Sequence, residues 1–242
     1  MKPNTSNTPP PSPPEDKLYH LILLITAIAK DPTNNLTGRT RILGTYLSLD
    51  TAKAAANSCL FDAGYEREFF ERYESRYSSS SSSNTPEASP PANNTNIPGL
   101  AILAQTPDGT TFRVCIQTTP NTKHLTLALG DGRVPLHLYY VVQTTVSADD
   151  DHPRLSVLDV FLAYQAAREC AEQALLVGEG QGREYAMYVQ AAPYEKDCGF
   201  GEDVVVHATG VDGENYLVSV LRTEELDSVR VAEEAGEMAV DL

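Results

Sequence analysis

The chain has 242 residues, 41% of them hydrophobic, and its 33 acidic and 18 basic side chains give a formal net charge of −15. That length and composition fit one or two compact units. The acidity argues against a nucleic acid partner, whose phosphates draw affinity from clustered Lys and Arg that no stretch of this sequence supplies.

From the start, MKPNTSNTPPPSPPED (residues 1–16) has almost nothing to bury and reads as a disordered tail. The next run, LYHLILLITAIA from Leu18, is shorter than the about 20 residues a bilayer needs. It follows a polar, proline-rich segment and not a charged leader. The chain therefore reads as cytoplasmic, with the nucleus left open, and without a membrane partner. In that setting the sequons at Asn4, Asn35 and Asn93 would stay unmodified. Cys59, Cys115, Cys170 and Cys198 are widely spaced and form no C-x-x-C, which predicts four reduced thiols.

The Leu18 run predicts a long strand buried on both faces. TRILGTYLSLDTAKAAANSCL then predicts a strand that runs into an alanine-rich helix, with Ala52, Ala55, Ala56, Cys59 and Leu60 on one stripe. A serine- and proline-rich tract over residues 77–98 lies between strand patterns and reads as an insertion in a surface loop. PDGTTFRVCI, from Pro107, predicts a hairpin turning at Asp108-Gly109. HLTLAL, from His124, reads as a short connecting strand before the Gly130-Asp131-Gly132 turn.

The same succession then returns. LHLYYVVQTTVSAD from Leu136, RLSVLDVFLAYQAARECAEQAL, and the Asp212-Gly213 hairpin VDGENYLVSV repeat strand, strand, helix and hairpin. The helix stripe recurs as Ala167, Cys170, Ala171, Ala174 and Leu175. Leu18 matches Leu136, Ala52 matches Ala167 and Asp108 matches Asp212, so the offset falls from 118 to 115 to 104, as longer loops in the first copy would produce. EYAMYVQAA, from Glu184, predicts one additional strand in the second copy. TEELDSVRVAEEAGEMAV reads as an acidic helix with Thr223 as its N-cap.

The fold class predicted is α+β: two tandem homologous β-β-α-β-β units, each an antiparallel sheet covered by one helix, arranged as a pseudo-twofold pair. The divisions are a tail over 1–16, a first repeat over 17–120, a connector over 121–133, a second repeat over 134–222 and an acidic helix over 223–242. Whether the two sheets merge or face each other is left open by the pattern.

At GTYLSLDTAKAAA and VFLAYQAARECAEQA, with their preceding strands and following D-G hairpins, the chain resembles a family of small intracellular proteins of filamentous fungi without an assigned activity. The resemblance implies no catalytic residue.

The residues that carry chemistry form no motif. A metal cup between two copies needs ligands at related positions, yet at these offsets His20 meets Leu138, His137 meets Tyr19 and His207 meets Leu103. Asp149, Asp150, Asp151 and His152 lack the alternation of a calcium loop and read as an exposed acidic loop. Cys198 has only Lys196 nearby to support a thiolate, against several acids. GEGQG, from Gly178, follows a helix instead of opening one, so it reads as a helix end and not a phosphate loop. Tyr139, Tyr140, Tyr185 and Tyr188 could line a pocket, although strands favour aromatics for packing alone. No catalytic, cofactor-binding or metal residue is assigned, and no cofactor. The function expected is a non-enzymatic binding or scaffold protein whose partner is another protein. The alternative is a small-molecule binder or enzyme that uses the cleft between the copies.

Overall fold

The computed structural model describes residues 16–26, 39–77, 97–147, 153–177 and 183–223. The tail, most of the serine-rich insertion, the three sequons, the Asp149–His152 cluster, GEGQG and the acidic C-terminal segment beyond Thr223 lie outside these residues.

The fold is mixed α+β, with a pair of similar five-stranded antiparallel sheets and two helices. The first sheet holds β1 (Lys17–Thr26), β2 (Arg39–Tyr46), β3 (Arg72–Ser75), β4 (Leu100–Gln105) and β5 (Thr111–Pro120), in the order β2-β1-β5-β4-β3. The second holds β6 (Tyr139–Val146), β7 (Arg154–Phe161), β8 (Tyr185–Gln190), β9 (Val204–Gly210) and β10 (Asn215–Arg222), in the order β7-β6-β10-β9-β8. Helices α1 (Leu49–Asp62) and α2 (Tyr164–Gln173) each follow the second strand of their sheet.

The strand order is the same in both sheets, and so is the place of the irregularities. The ladder of β1 with β2 shifts between Leu21 and Ile22, and that of β6 with β7 between Val141 and Val142. His20 therefore stands where Tyr140 stands, an offset of 120 and not the 118 that matching Leu18 to Leu136 predicts. A slip of two residues keeps every side chain on its face, so apolar alternation alone does not detect it.

Two further expectations are corrected. Each half carries three strands after its helix, because the first has β3 as well as the anticipated hairpin. HLTLAL is not a strand. Asn121 donates to the Leu125 carbonyl and accepts from the Leu125 amide, both at 2.9 Å, so its side chain takes the place of a ladder neighbour. His124 adopts φ 52°, Leu125 plugs the core, and Leu127 stays exposed.

Both hairpins turn as their sequences require. Gly109 and Gly213 have φ of 87° and 84°, and the preceding Asp carboxylates accept from the amides of Thr110 and Glu214 at 3.1 Å. Helix α1 starts at Ser48, whose hydroxyl accepts from the Asp50 amide. Helix α2 follows Ala163, which has no capping side chain, and is shorter, 10 residues against 14.

Small residues let each helix lie close to its sheet. Ala52, Ala56, Cys59 and Leu60 of α1 pack on Leu21, Leu23 and Ile25 of β1, while Ala167, Ala171 and Leu175 pack on Val141, Val206, Val218 and Val220. The opposite faces of the sheets share a third core in which Leu18, Ile22 and Ile42 meet Leu138, Tyr140, Val142, Val157 and Val160. The sheets thus face each other, with the helices outside.

Candidate functional site

Two arrangements concentrate polar chemistry where the sheets meet. The first is buried. Alternation along β1 and β6 turns His20 and Tyr140 inward, and both are completely enclosed. The His20 ring has Nε2 2.8 Å from Thr119 Oγ1 and Nδ1 2.9 Å from Thr45 Oγ1. Thr45 Oγ1 lies 2.7 Å from the Tyr140 hydroxyl, which in turn lies 3.2 Å from Thr223 Oγ1. The rings of His20 and Tyr140 meet edge to face with centroids 5.6 Å apart. Five side chains from β1, β2, β5, β6 and the end of β10 thereby form one chain of hydrogen bonds across the interface.

A neutral imidazole suits this chain, since one nitrogen donates while the other accepts. Burial lowers the His20 pKa from 6.5 to about 4, and burial likewise raises that of the Tyr140 phenol. Neither group is poised for proton transfer near neutral pH, so the chain is a structural tie between the sheets.

The second arrangement is a cavity of about 1340 Å³ at the edge where β2 meets the end of β10. Ile42 and Thr223 form a parallel bridge there, and both point into the shared core. Their neighbours Arg41 and Arg222 accordingly share the outer face, on backbones about 5 Å apart. Arg39, two residues along β2, is on the same face about 7 Å from Arg41. All three line the cavity, with Tyr139, Tyr164 and Arg168. Glu195, Glu202 and Asp203 line its other side, where Lys196 pairs with Asp203 at 2.9 Å and with Glu202 at 3.4 Å. No linear stretch announces this arginine group, because one member comes from a strand about 180 residues away.

The remaining candidates hold structure together. Arg168 of α2 is buried, with Nε 2.9 Å from Glu172 and Nη2 donating to the carbonyls of Ala192 at 2.7 Å and Ala191 at 3.2 Å. It also donates to the Glu195 carbonyl, so it pins the β8–β9 loop to the helix. The hydroxyls of Tyr185 and Tyr188 donate to the carbonyls of Leu175 and Glu172 and tie β8 to α2, whereas Tyr139 packs edge to face on Tyr164. Burial raises all four thiols, Cys59 to about 12 and Cys115 to about 11. At Cys198 burial, and not the surrounding acids, is the larger cause.

His207 stacks on Phe200 at 4.0 Å and hydrogen-bonds Asn215, while its buried Nδ1 has no partner among the described residues. His137 lies in the rim of the cavity, apart from His20. Among the described residues no group of three or more His, Cys, Asp or Glu is arranged to hold a metal ion, and no helix is long and apolar enough to cross a membrane. Comparison with protein-family models, curated proteins and solved structures gave no match.

Proposed function

We propose that the two halves are copies of one β-β-α-β-β-β unit arranged as a pseudo-twofold pair, and that the chain is a non-enzymatic binding module for a partner polypeptide. The pairing reading is supported by the shared strand order and by the bulges at matching positions. The binding reading is carried by an aromatic patch beside the end of α1. Phe61, Tyr65, Phe69, Phe70, Tyr73 and Phe112 form a contiguous set with ring centroids 5.1–6.3 Å apart. Phe61 is 41% exposed and Phe69 46%. Arg67 rests over Tyr73. Exposed aromatics next to an arginine are the composition that protein interfaces enrich. His20, Tyr140, Tyr185 and Tyr188 are meanwhile engaged in hydrogen bonds that hold the fold.

The test is native mass spectrometry of the chain purified gently from its own cells. A stoichiometric complex with one polypeptide is expected, and it should be lost when Phe61 and Phe69 are both replaced by Glu. A chain that travels alone, or a complex indifferent to that replacement, overturns the reading. The cavity beside β2 and β10 favours a second reading, in which the chain holds a small molecule.

A further inference from the structure

We infer that the cavity at the β2/β10 edge is a site for a small phosphorylated molecule, held through its phosphate by Arg39, Arg41 and Arg222. The inference rests on the second reading above, that the cavity takes a small molecule, and names its chemical class.

Three observations converge. The first is placement: alternation along β2 and the parallel bridge of Ile42 with Thr223 set three guanidinium groups on one face of one cavity, within about 7 Å along the backbone. The second is their situation in a chain of net charge −15, where 18 basic side chains stand against 33 acidic ones and three arginines converge. Arg39 and Arg222 form no ion pair among the described residues. The carboxylates on the far side of the cavity are engaged, Glu202 and Asp203 by Lys196 and Glu195 by the Ala192 amide at 3.3 Å. Arg39 and Arg222 thus keep charge that an anion between them neutralises.

The third observation is the contrast with the corresponding edge of the other sheet. The ladder positions of Arg39, Arg41 and Arg222 are there occupied by Arg154, Ser156 and Thr118. The single arginine of that set is paired with Glu214 at 3.1 Å. The arginine group therefore belongs to one edge and is not a general feature of the unit.

The ligand class follows from the donors and the field. Arginine offers a planar fork that binds two oxygens at once, and a phosphate has enough acceptor oxygens to serve several forks, where a single carboxylate does not. The cavity has room for a metabolite-sized body. A long polyanion would extend past the arginines onto a surface of net negative charge and be repelled. A small phosphorylated molecule reaches the arginines from within the cavity, with Glu195, Glu202 and Asp203 on the side away from its phosphate.

The experiment is calorimetric titration of the full chain with inorganic pyrophosphate at low ionic strength. Saturable one-to-one binding is expected, with Arg41→Gln and Arg222→Gln each weakening it about tenfold. Arg67→Gln, a change outside the lining of the cavity, should leave it unaltered. Arg222→Lys keeps the charge but loses the fork, and should weaken binding by an intermediate factor, which keeps the test open if a Gln variant fails to fold. A single-stranded oligonucleotide should bind worse than pyrophosphate. Absence of saturable binding, or equal weakening by Arg67→Gln, overturns the phosphate assignment. A neutral small molecule that survives in the native mass spectrum and is displaced by Ser219→Phe, within the cavity, would overturn the assignment and leave the small-molecule reading standing. A chain that retains no small molecule and binds no pyrophosphate removes both.

Discussion

The two edges at which the sheets touch are built from corresponding positions and finished differently. Where β5 meets β7, the Gln117 side chain acts as a short piece of strand, donating to the Leu155 carbonyl and accepting from the Val157 amide at 2.7 Å. Where β10 meets β2, the residue in that position is Leu221, which offers the neighbouring backbone nothing. The first edge is closed by side-chain hydrogen bonds, and the second by the Ile42–Thr223 backbone bridge, beside the arginine cavity. A side chain thus joins one edge and the backbone the other, and between the two joints runs the hydrogen-bonded chain from Thr119 to Thr223.

The most severe way to break this comparison is to remove what both edges share. Tyr140→Ala deletes a fully buried ring and leaves Thr45 and Thr223 without their common partner. A loss of about 3–5 kcal/mol in urea unfolding is expected, as for other large-to-Ala changes in a core. Tyr140→Phe keeps the ring and should cost about 1–3 kcal/mol, the cost of a lost buried hydrogen bond. If both variants unfold within about 0.5 kcal/mol of the parent, the interface is not what holds the sheets together.

Next in size is the pH response of the same chain. The His20 pKa is about 4 in the fold against 6.5 when exposed, so between those values the unfolded chain binds a proton that the folded one refuses. Stability is fully present above pH 6.5 and falls as the pH drops toward 4, by about 3 kcal/mol in all. Urea midpoints measured from pH 7 to pH 4 should therefore decline more steeply for the parent than for His20→Gln. Parallel curves would show that His20 is not the group that titrates.

How much of this was readable beforehand depends on the range of the interactions. The D-G hairpins and the alanine stripes of Ala52, Ala56, Ala167 and Ala171 are local patterns, and they carried the element order in both halves. Strand β3 did not show, because RYES is four residues long with no apolar alternation, and it is recognised only through its ladder with β4. HLTLAL has the alternation of a strand but no strand beside it, only Asn121. The arginine cavity was invisible for the same reason. Sequence neighbours report local charge, whereas Arg222 reaches Arg41 through a bridge that exists only after both sheets have formed. A search for basic runs necessarily passes over such a site.

Gln117→Ala sharpens the comparison itself. It strands the Leu155 carbonyl and the Val157 amide at a partly buried edge, so about 1–3 kcal/mol should be lost. Leu221→Ala, at the corresponding place on the other edge, trims a half-exposed side chain and should cost less. Equal losses, read from urea midpoints, would mean that Gln117 serves only as filler.

The smallest effect is expected at Arg222, and it separates architecture from binding. The side chain is exposed and has no ion pair among the described residues, so folding does not depend on it. Arg222→Gln should leave the stability read from urea unfolding within about 0.5 kcal/mol of the parent, as for other exposed side chains. A marked loss of stability would instead place the Arg222 side chain in the joint, where the Ile42–Thr223 backbone bridge would then not act alone.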